Sequence, residues 1–284
     1  MTMQTLDMPK KVLSYSQIRK FSVQPYAYEL EYVHGVKTPK TSALLFGSAV
    51  DTSANIMNAR KIQTGEIIPE DEAIAVFNDA WADGAETTEF DEEESPEELL
   101  DKGRECVKLY REHILTKVNP IKVQTKFFMD LLVDEDIIVT FMGIIDRIDQ
   151  NEKDELAVDV IDLKTAKRKV TEWFDGMDRI QFTGNVVGAE RDLGLDVAQF
   201  VGNYLIHGVK KPYLRDPAET TQVINEDMKA EWEQYIIHQA RQISECYTKG
   251  FFPASCYRSG WWCSKKWCAH YGKTCKFTGG KGPQ

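Results

Sequence analysis

Two apolar strands that carry charges where a core should be constrain this chain more than any other feature. The stretch GIIDRIDQNEKDELAVDVIDLKTAK, residues 143–167, reads as two strands joined by a polar turn. Asp146 follows Gly143-Ile144-Ile145, and Asp162 and Lys164 interrupt Val160-Ile161-x-Leu163. Side chains alternate across a strand, so Asp162 and Lys164 project from one face while Ile161 and Leu163 project from the other. If the two strands pair as a hairpin, Asp146 sits beside Asp162.

Two carboxylates that close repel, and both stay ionised in a partly buried site only with a cation between them. Hard oxygen ligands completed by water and phosphate are what Mg²⁺ or Mn²⁺ takes. Lys164 then suits the task of orienting a water or stabilising developing negative charge. Taken alone, an Asp-x-Lys pair also describes a solvated ion pair. The Gly-x-x-Asp-Arg-x-Asp element upstream is what favours the metal reading.

The charge distribution leaves room for a phosphate-binding face. The chain has 284 residues and a net charge of −10. Fifteen acids against two cations fall between Pro69 and Glu105, so the remainder is slightly basic. After Glu245 there are seven cations and no acid. Such asymmetry fits a basic face that meets a polyanion beside an acidic segment that does not; a solvated acidic loop and a disordered basic end are the plainer alternative. No apolar run approaches the roughly 18 residues that span a bilayer. The N-terminus lacks the apolar segment of an export signal, so a cytoplasmic protein with no membrane partner is expected.

Periodicity and punctuation give the element order. A helix is expected near Gln17, capped by Ser14 or Ser16, and a second close to Gly47. Helices follow over Glu70–Ala82 and from Pro96 to about Leu115, with an acidic loop between them. Strands are expected over Ile121–Val133, Ile137–Ile148 and Leu156–Leu163. A helix near 179–192, a strand at Val197–His207 and a long helix over Glu226–Lys249 complete the pattern. That order implies an α/β fold in which a mixed central β-sheet is flanked by helices. Residues 1–250 would form the main domain, with an acidic insertion near 69–105, and residues 251–284 a Cys-, Trp- and Lys-rich tail.

Four pieces of this sequence resemble, in order, the RecB-like branch of the PD-(D/E)XK nucleases, which includes phage and bacterial exonucleases and is related to the CRISPR-adaptation nucleases. LSYSQIRKFSVQPYAYELEY (13–32) is similar to the opening helix of that family. LLFGSAVD (44–51) is similar to its Gly-x-x-x-His element. GIIDRID and VIDLKTAK are similar to its two acidic strands, and QFTGN (181–185) to its Gln-x-x-x-Tyr helix. The resemblance implies a restriction-endonuclease-like core. It makes Asp146 and Asp162 metal ligands with the Leu163 carbonyl, Lys164 the catalytic lysine, and Gln181 a residue that orients the lysine or DNA. Asp51 stands where the family has a histidine and is carried over as a metal ligand. Asn185 stands where the family has tyrosine, which removes a ring near DNA.

The tail places Cys256, Cys263, Cys268 and Cys275 within twenty residues, with six, four and six residues between them. Those intervals are too long for a zinc ribbon with its Cys-x₂-Cys knuckles, and a cytosolic chain disfavours disulfides. An iron–sulfur cluster, a zinc ion and packed free thiols all remain open. Many relatives in the resembling family carry a [4Fe–4S] cluster on three C-terminal cysteines and one in the opening helix. Cys263, Cys268 and Cys275 match that trio, and the N-terminal cysteine would fall near Gln24. That cysteine is absent, so either Cys256 supplies the fourth thiolate or the cluster is lost or incomplete. Cys106 and Cys246 are expected in the core, and His270 at the surface or as a further ligand.

The expected activity is metal-dependent exonucleolytic hydrolysis of DNA, in the manner of a phage recombination nuclease. Resemblance also implies a single-strand annealing protein as partner. Ser14, Tyr15, Arg147, Thr165, Lys265 and Lys266 are candidate DNA contacts. The alternative is a DNA-binding module of the same fold that has lost catalysis.

Overall fold

The computed structural model describes residues 3–169, 171–174, 176–254, 263–265 and 267–282. In chain order the elements are β1 (Gln4–Thr5), β2 (Val12–Ser14), α1 (Tyr15–Val23), α2 (Pro25–Tyr28), β3 (Lys40–Thr41), α3 (Ser42–Thr64), α4 (Glu70–Ala85), β4 (Thr88–Glu89) and α5 (Pro96–Tyr110). The central strands follow: β5 (Pro120–Asp134), β6 (Ile137–Gln150) and β7 (Val158–Ala166). Then come α6 (Gly176–Arg191), β8 (Val197–Ile206), β9 (Tyr213–Leu214), β10 (Thr221–Gln222) and α7 (Glu226–Thr248). The result is a mixed α/β fold with a central mixed sheet flanked by helices. No helix among the described residues is long and apolar enough to cross a membrane.

The chain divides into two compact units, one of residues 39–127 and 144–225, the other of residues 1–38, 128–143 and 226–284. In the first, β7 is the hub. It pairs antiparallel with β6, Arg147 opposite Ile161, and parallel with β8, Asp162 opposite Gly202 and Lys164 opposite Tyr204. β9 and β10 add antiparallel edges to β8. The helices α3, α4 and α5 share an apolar cluster that includes Phe46, Phe77, Trp81 and Tyr110, and Leu163 and Leu205 of the sheet pack into it. The acidic stretch is therefore mostly helix: Phe77, Trp81, Leu99 and Val107 point inward while its acids ride on the outer faces.

α3 begins at Ser42, earlier than Gly47 suggests, because the Thr41 hydroxyl accepts the Leu44 N–H and caps it there. It ends at Gly65, whose φ of 73° suits a left-handed terminus. Gly47 lies inside this helix for another reason. A Cβ there would sit 3.3 Å from Thr165 Oγ1, so the missing side chain lets α3 approach β7 closely.

In the second unit, β1 and β2 pair parallel with the start of β6. The stretch 13–32 that resembles one opening helix is broken: α1 stops at Gln24, because Pro25 disfavours helical backbone in the residue before it. α1 and α7 are joined by Ser22, whose hydroxyl donates to Gln239 Oε1 at 3.0 Å. Phe141 meets Trp232 of α7 edge-on, with centroids 5.2 Å apart.

Candidate active site

The acid cluster follows from sheet register. Continuing the β6–β7 ladder one step past Arg147–Ile161 brings Asp146 opposite Asp162, on one face of the sheet. At that step a side chain takes over from the main chain, and the Leu163 N–H donates to Asp146 Oδ2 at 2.9 Å. Lys164, two residues beyond Asp162, brings its Nζ to 2.7 Å from Asp162 Oδ2 and donates to Gln181 Oε1 at 3.0 Å. Gln181 comes from α6, and Phe182 beside it offers its ring to the same ammonium at 5.6 Å. Asp51 enters from α3, one turn after Gly47, at the helix position that the close approach to β7 sets. The structure thus brings Asp51, Asp146, Asp162, Lys164 and Gln181 together. Leu163 has its side chain in the apolar cluster, so only its main chain can serve the acids.

Burial dominates the electrostatics. Asp162 is 0% exposed; its Oδ1 has no hydrogen-bond partner, and its Oδ2 is met by the Lys164 ammonium at 2.7 Å. Desolvation raises the pKa of Asp162; Lys164 opposes the shift and the Asp146 charge adds to it. Desolvation likewise raises Asp146, reinforced by Asp51. Asp51 is pushed up to about 6, chiefly by burial, with a hydrogen bond from Asn55 acting the other way. For Lys164 burial acts downward, but the charges of Asp162 and Asp146 outweigh it and hold the amine above its ordinary value.

The chemistry of the donors suits a hard divalent cation: carboxylates, a nearby carbonyl and, at Asp162, a buried Oδ1 without a donor. Among the described residues no three acidic, histidine or cysteine groups stand close enough to cage an ion. That is compatible with Mg²⁺, which typically takes one or two carboxylates and completes its shell with water and phosphate.

Two residues at this site went unnoticed in the sequence. Asn55, one helical turn after Asp51, donates to Asp51 Oδ2 at 2.9 Å, and its i+4 spacing was the available signal. Gln124 of β5 reaches the same oxygen at 3.5 Å from a backbone with φ of 44°, the one positive φ among described non-glycine residues. Nothing in the local sequence announces that kink.

The remaining candidates lie elsewhere. Arg147 is not at a surface that DNA can touch. It is 3% exposed, and its Nε and Nη2 donate to Asp149 Oδ1 and Oδ2 at 2.8 and 2.9 Å. Its remaining nitrogen donates to the Tyr110 hydroxyl. Alternation explains this, since Asp146 on the site face requires Arg147 on the opposite one. Thr165 lies under Gly47. Asn185 is buried on α6, and its Nδ2 has no hydrogen-bond partner. In the other unit Ser14 is the N-cap of α1 and accepts from Gln17 Nε2 at 3.4 Å, Tyr15 opens that helix, and Lys265 is exposed. Lys266 and Cys256 lie outside the described residues.

Cys263, Cys268 and Cys275 line one small cavity together with Gln24 and Tyr26. Gln24 hydrogen-bonds to Cys268, whose thiol pKa is raised chiefly by burial. The three cysteines border one space, but they do not stand close enough to cage an ion as they are, the fourth side is an amide, and a four-thiolate set needs Cys256. His270 is neither a surface residue nor a free ligand: it is buried, with Nε2 3.0 Å from Glu31 Oε1 and Nδ1 2.7 Å from Thr274 Oγ1. Cys106 is in the core as expected, while Cys246 is half-buried.

A model of the PD-(D/E)XK nuclease superfamily matches residues 12–276, from the strand before α1 to just past the last tail cysteine. No curated protein matches the chain. Among solved structures, one titled "Crystal structure of SSO0001" is 12% identical, with a TM-score of 0.35, over 93% of this chain and 95% of that one. A likeness so slight says nothing about the site.

Proposed function

We propose, from the premise that this chain belongs to the PD-(D/E)XK nuclease superfamily, that it is a Mg²⁺- or Mn²⁺-dependent DNA exonuclease of the RecB-like branch. Membership implies a nuclease that hydrolyses phosphodiester bonds. The reading of exonuclease and of a role in phage-type recombination or end processing, with a single-strand annealing protein as partner, is ours. One observation supports the metal-site assignment: a fully buried carboxylate, Asp162, stands opposite a second acid with one oxygen, Oδ1, unpartnered and a single lysine beside the other. Lys164 supplies one positive charge against two acids, and a bound cation would balance the second without protonating it.

Asp162 and Asp146, with Asp51 and the Leu163 carbonyl, would hold the ion. The bound cation would polarise the phosphate and lower the pKa of the attacking water. Asn55 and Gln124 both donate to Asp51 Oδ2, which leaves Oδ1 as the oxygen free to turn toward an ion. Lys164 is braced between Asp162 and Gln181 and kept charged, so its role is to donate. It can hold the attacking water or a phosphate oxygen in line; it does not take the proton. Hydrolysis adds water across one P–O bond, leaving a phosphate on one fragment and a hydroxyl on the other.

The cysteine tail, residues 251–284, carries a subsidiary proposal: a [4Fe–4S] cluster on Cys256, Cys263, Cys268 and Cys275, supported by the shared cavity of the last three. Anaerobically purified protein should then contain iron and absorb near about 400 nm; colourless, iron-free protein removes this part alone.

The exonuclease reading is tested with end-labelled linear duplex DNA, with either the 5′ or the 3′ end blocked, and with a covalently closed circle. Linear DNA should be degraded in Mn²⁺, one blocked end should stop digestion, and the circle should survive. A circle cut as fast as the linear form would make the enzyme an endonuclease. Binding to DNA without any cleavage would favour the inactive module.

A further inference from the structure

Tyr204 lies on β8 in a position that the acid cluster does not explain by itself. β7 and β8 run parallel with Asp162 opposite Gly202 and Lys164 opposite Tyr204, so Tyr204 shares the face of Asp162 and Lys164. Diagonal neighbours on adjacent strands are within reach when one of them is aromatic. A Cβ built on Gly202 would fall 2.8 Å from Tyr204 Cε2 and 3.4 Å from Cδ2, so the ring leans back along β8 over Gly202, toward the row of Asp162. Any larger residue at 202 would push it away.

The ring is fixed from other sides as well. Trp173 meets it edge-on, with centroids 6.4 Å apart at 75°, and the Arg215 guanidinium lies 5.9 Å from its centroid. Yet the hydroxyl that this packing positions is idle. Tyr204 is 3% exposed, and its Oη is buried with no hydrogen-bond partner. An orphaned buried donor is costly, and phenylalanine would fill the same space without that cost. Asp162 presents the complementary defect: its Oδ1 is a buried acceptor without a donor, while Oδ2 has the Lys164 ammonium. Asp178 of α6 is the other carboxylate near the phenol, but its oxygens are not orphaned in this way. Burial and these two carboxylates keep the phenol protonated, which makes it a donor.

We propose that Tyr204 is a positioning residue for Asp162: its hydroxyl donates to the Asp162 carboxylate in the cation-loaded site and fixes which oxygen faces the ion. This rests on the metal-site reading above. Hydrogen-bonded partners of ligating carboxylates set metal affinity, and their loss typically weakens it about 10- to 100-fold.

The test is Mn²⁺ binding by titration calorimetry on the full chain, with wild type, Tyr204→Phe, Gly202→Ala, the double variant and Asp162→Asn. Tyr204→Phe should bind Mn²⁺ roughly 10- to 100-fold more weakly, while the melting midpoint of the metal-free protein stays level or rises. A purely structural tyrosine would leave Mn²⁺ affinity untouched. Gly202→Ala, which keeps the hydroxyl but displaces the ring, should weaken binding comparably, and the double variant should be no weaker than Tyr204→Phe. If Asp162→Asn loses Mn²⁺ binding but Tyr204→Phe stays within about twofold of wild type, a change of under half a kilocalorie, this inference alone is overturned. If Asp162→Asn binds Mn²⁺ as wild type does, the metal-site reading falls and takes the inference with it.

Discussion

Arg147 and Asp162 are both charged and both buried, and they sit one ladder step apart on opposite faces of the same hairpin. What separates them is how far their hydrogen-bonding needs are met. Arg147 is fully engaged by the Asp149 carboxylate and the Tyr110 hydroxyl, the arrangement of an internal strut. Removing one partner of a buried pair strands the other charge and costs about 3–5 kcal/mol. Arg147→Ala should therefore lower unfolding stability by about that much in denaturant melts, while the folded fraction binds DNA as wild type does. Asp162 is buried at the same depth with Lys164 on one oxygen only, a second acid opposite, and its Oδ1 unpartnered. A charge so incompletely met is destabilising to the fold and makes sense as part of a site. Alternation alone could have distinguished the two, since consecutive residues of a strand cannot both face the acids; the sequence reading overlooked that constraint for Arg147.

At the scale of elements, the strands and helices were legible because each carries a single clear period: β5 to β8 in alternating or continuous apolar runs, α5 and α7 in helical ones. Boundaries slipped where local chemistry overrode period, at the Thr41 cap and at the Gln24–Pro25 break. Asp146, Asp162, Lys164 and Gln181 could be placed in advance, because strand geometry makes spacing equivalent to position. Gln124 could not, because it reaches the cluster through a backbone kink that no spacing encodes, and neither could Tyr204, whose ring leans along β8 over Gly202. Gly103 gives an element-level test. Alanine is favoured over glycine inside a helix by roughly 1 kcal/mol, but a Cβ at 103 would fall 2.1 Å from Phe77 Cζ in a fully buried ring. Overpacking costs typically about 1–3 kcal/mol, so Gly103→Ala should destabilise α5 against α4 despite its better propensity. A melting midpoint above wild type would show that Phe77 yields easily.

Across the whole molecule, pH dependence should divide between two kinds of buried group. His207 stacks on Phe46 with centroids 4.1 Å apart, and its pKa is lowered to about 4 by burial and by Lys167 and Lys102, with Glu94 opposing. Between its ordinary value and about 4 the unfolded chain binds a proton that the folded chain refuses, so this stability is present near neutral pH and is lost as pH falls. From pH 7 to pH 5 the loss should be about 2 kcal/mol. The raised carboxylates work in the opposite sense, losing stability as pH rises, so the clean measurement is the difference between wild type and His207→Phe in urea midpoints at the two pH values. The central claim concerns the acid cluster, and one assay addresses it most directly: the rate of linear duplex hydrolysis in Mn²⁺, with and without chelator, for wild type and Asp162→Asn. Chelator-sensitive cleavage by wild type and a loss of at least about 10³-fold in the variant are predicted. Cleavage by Asp162→Asn at a rate near that of wild type would contradict the account.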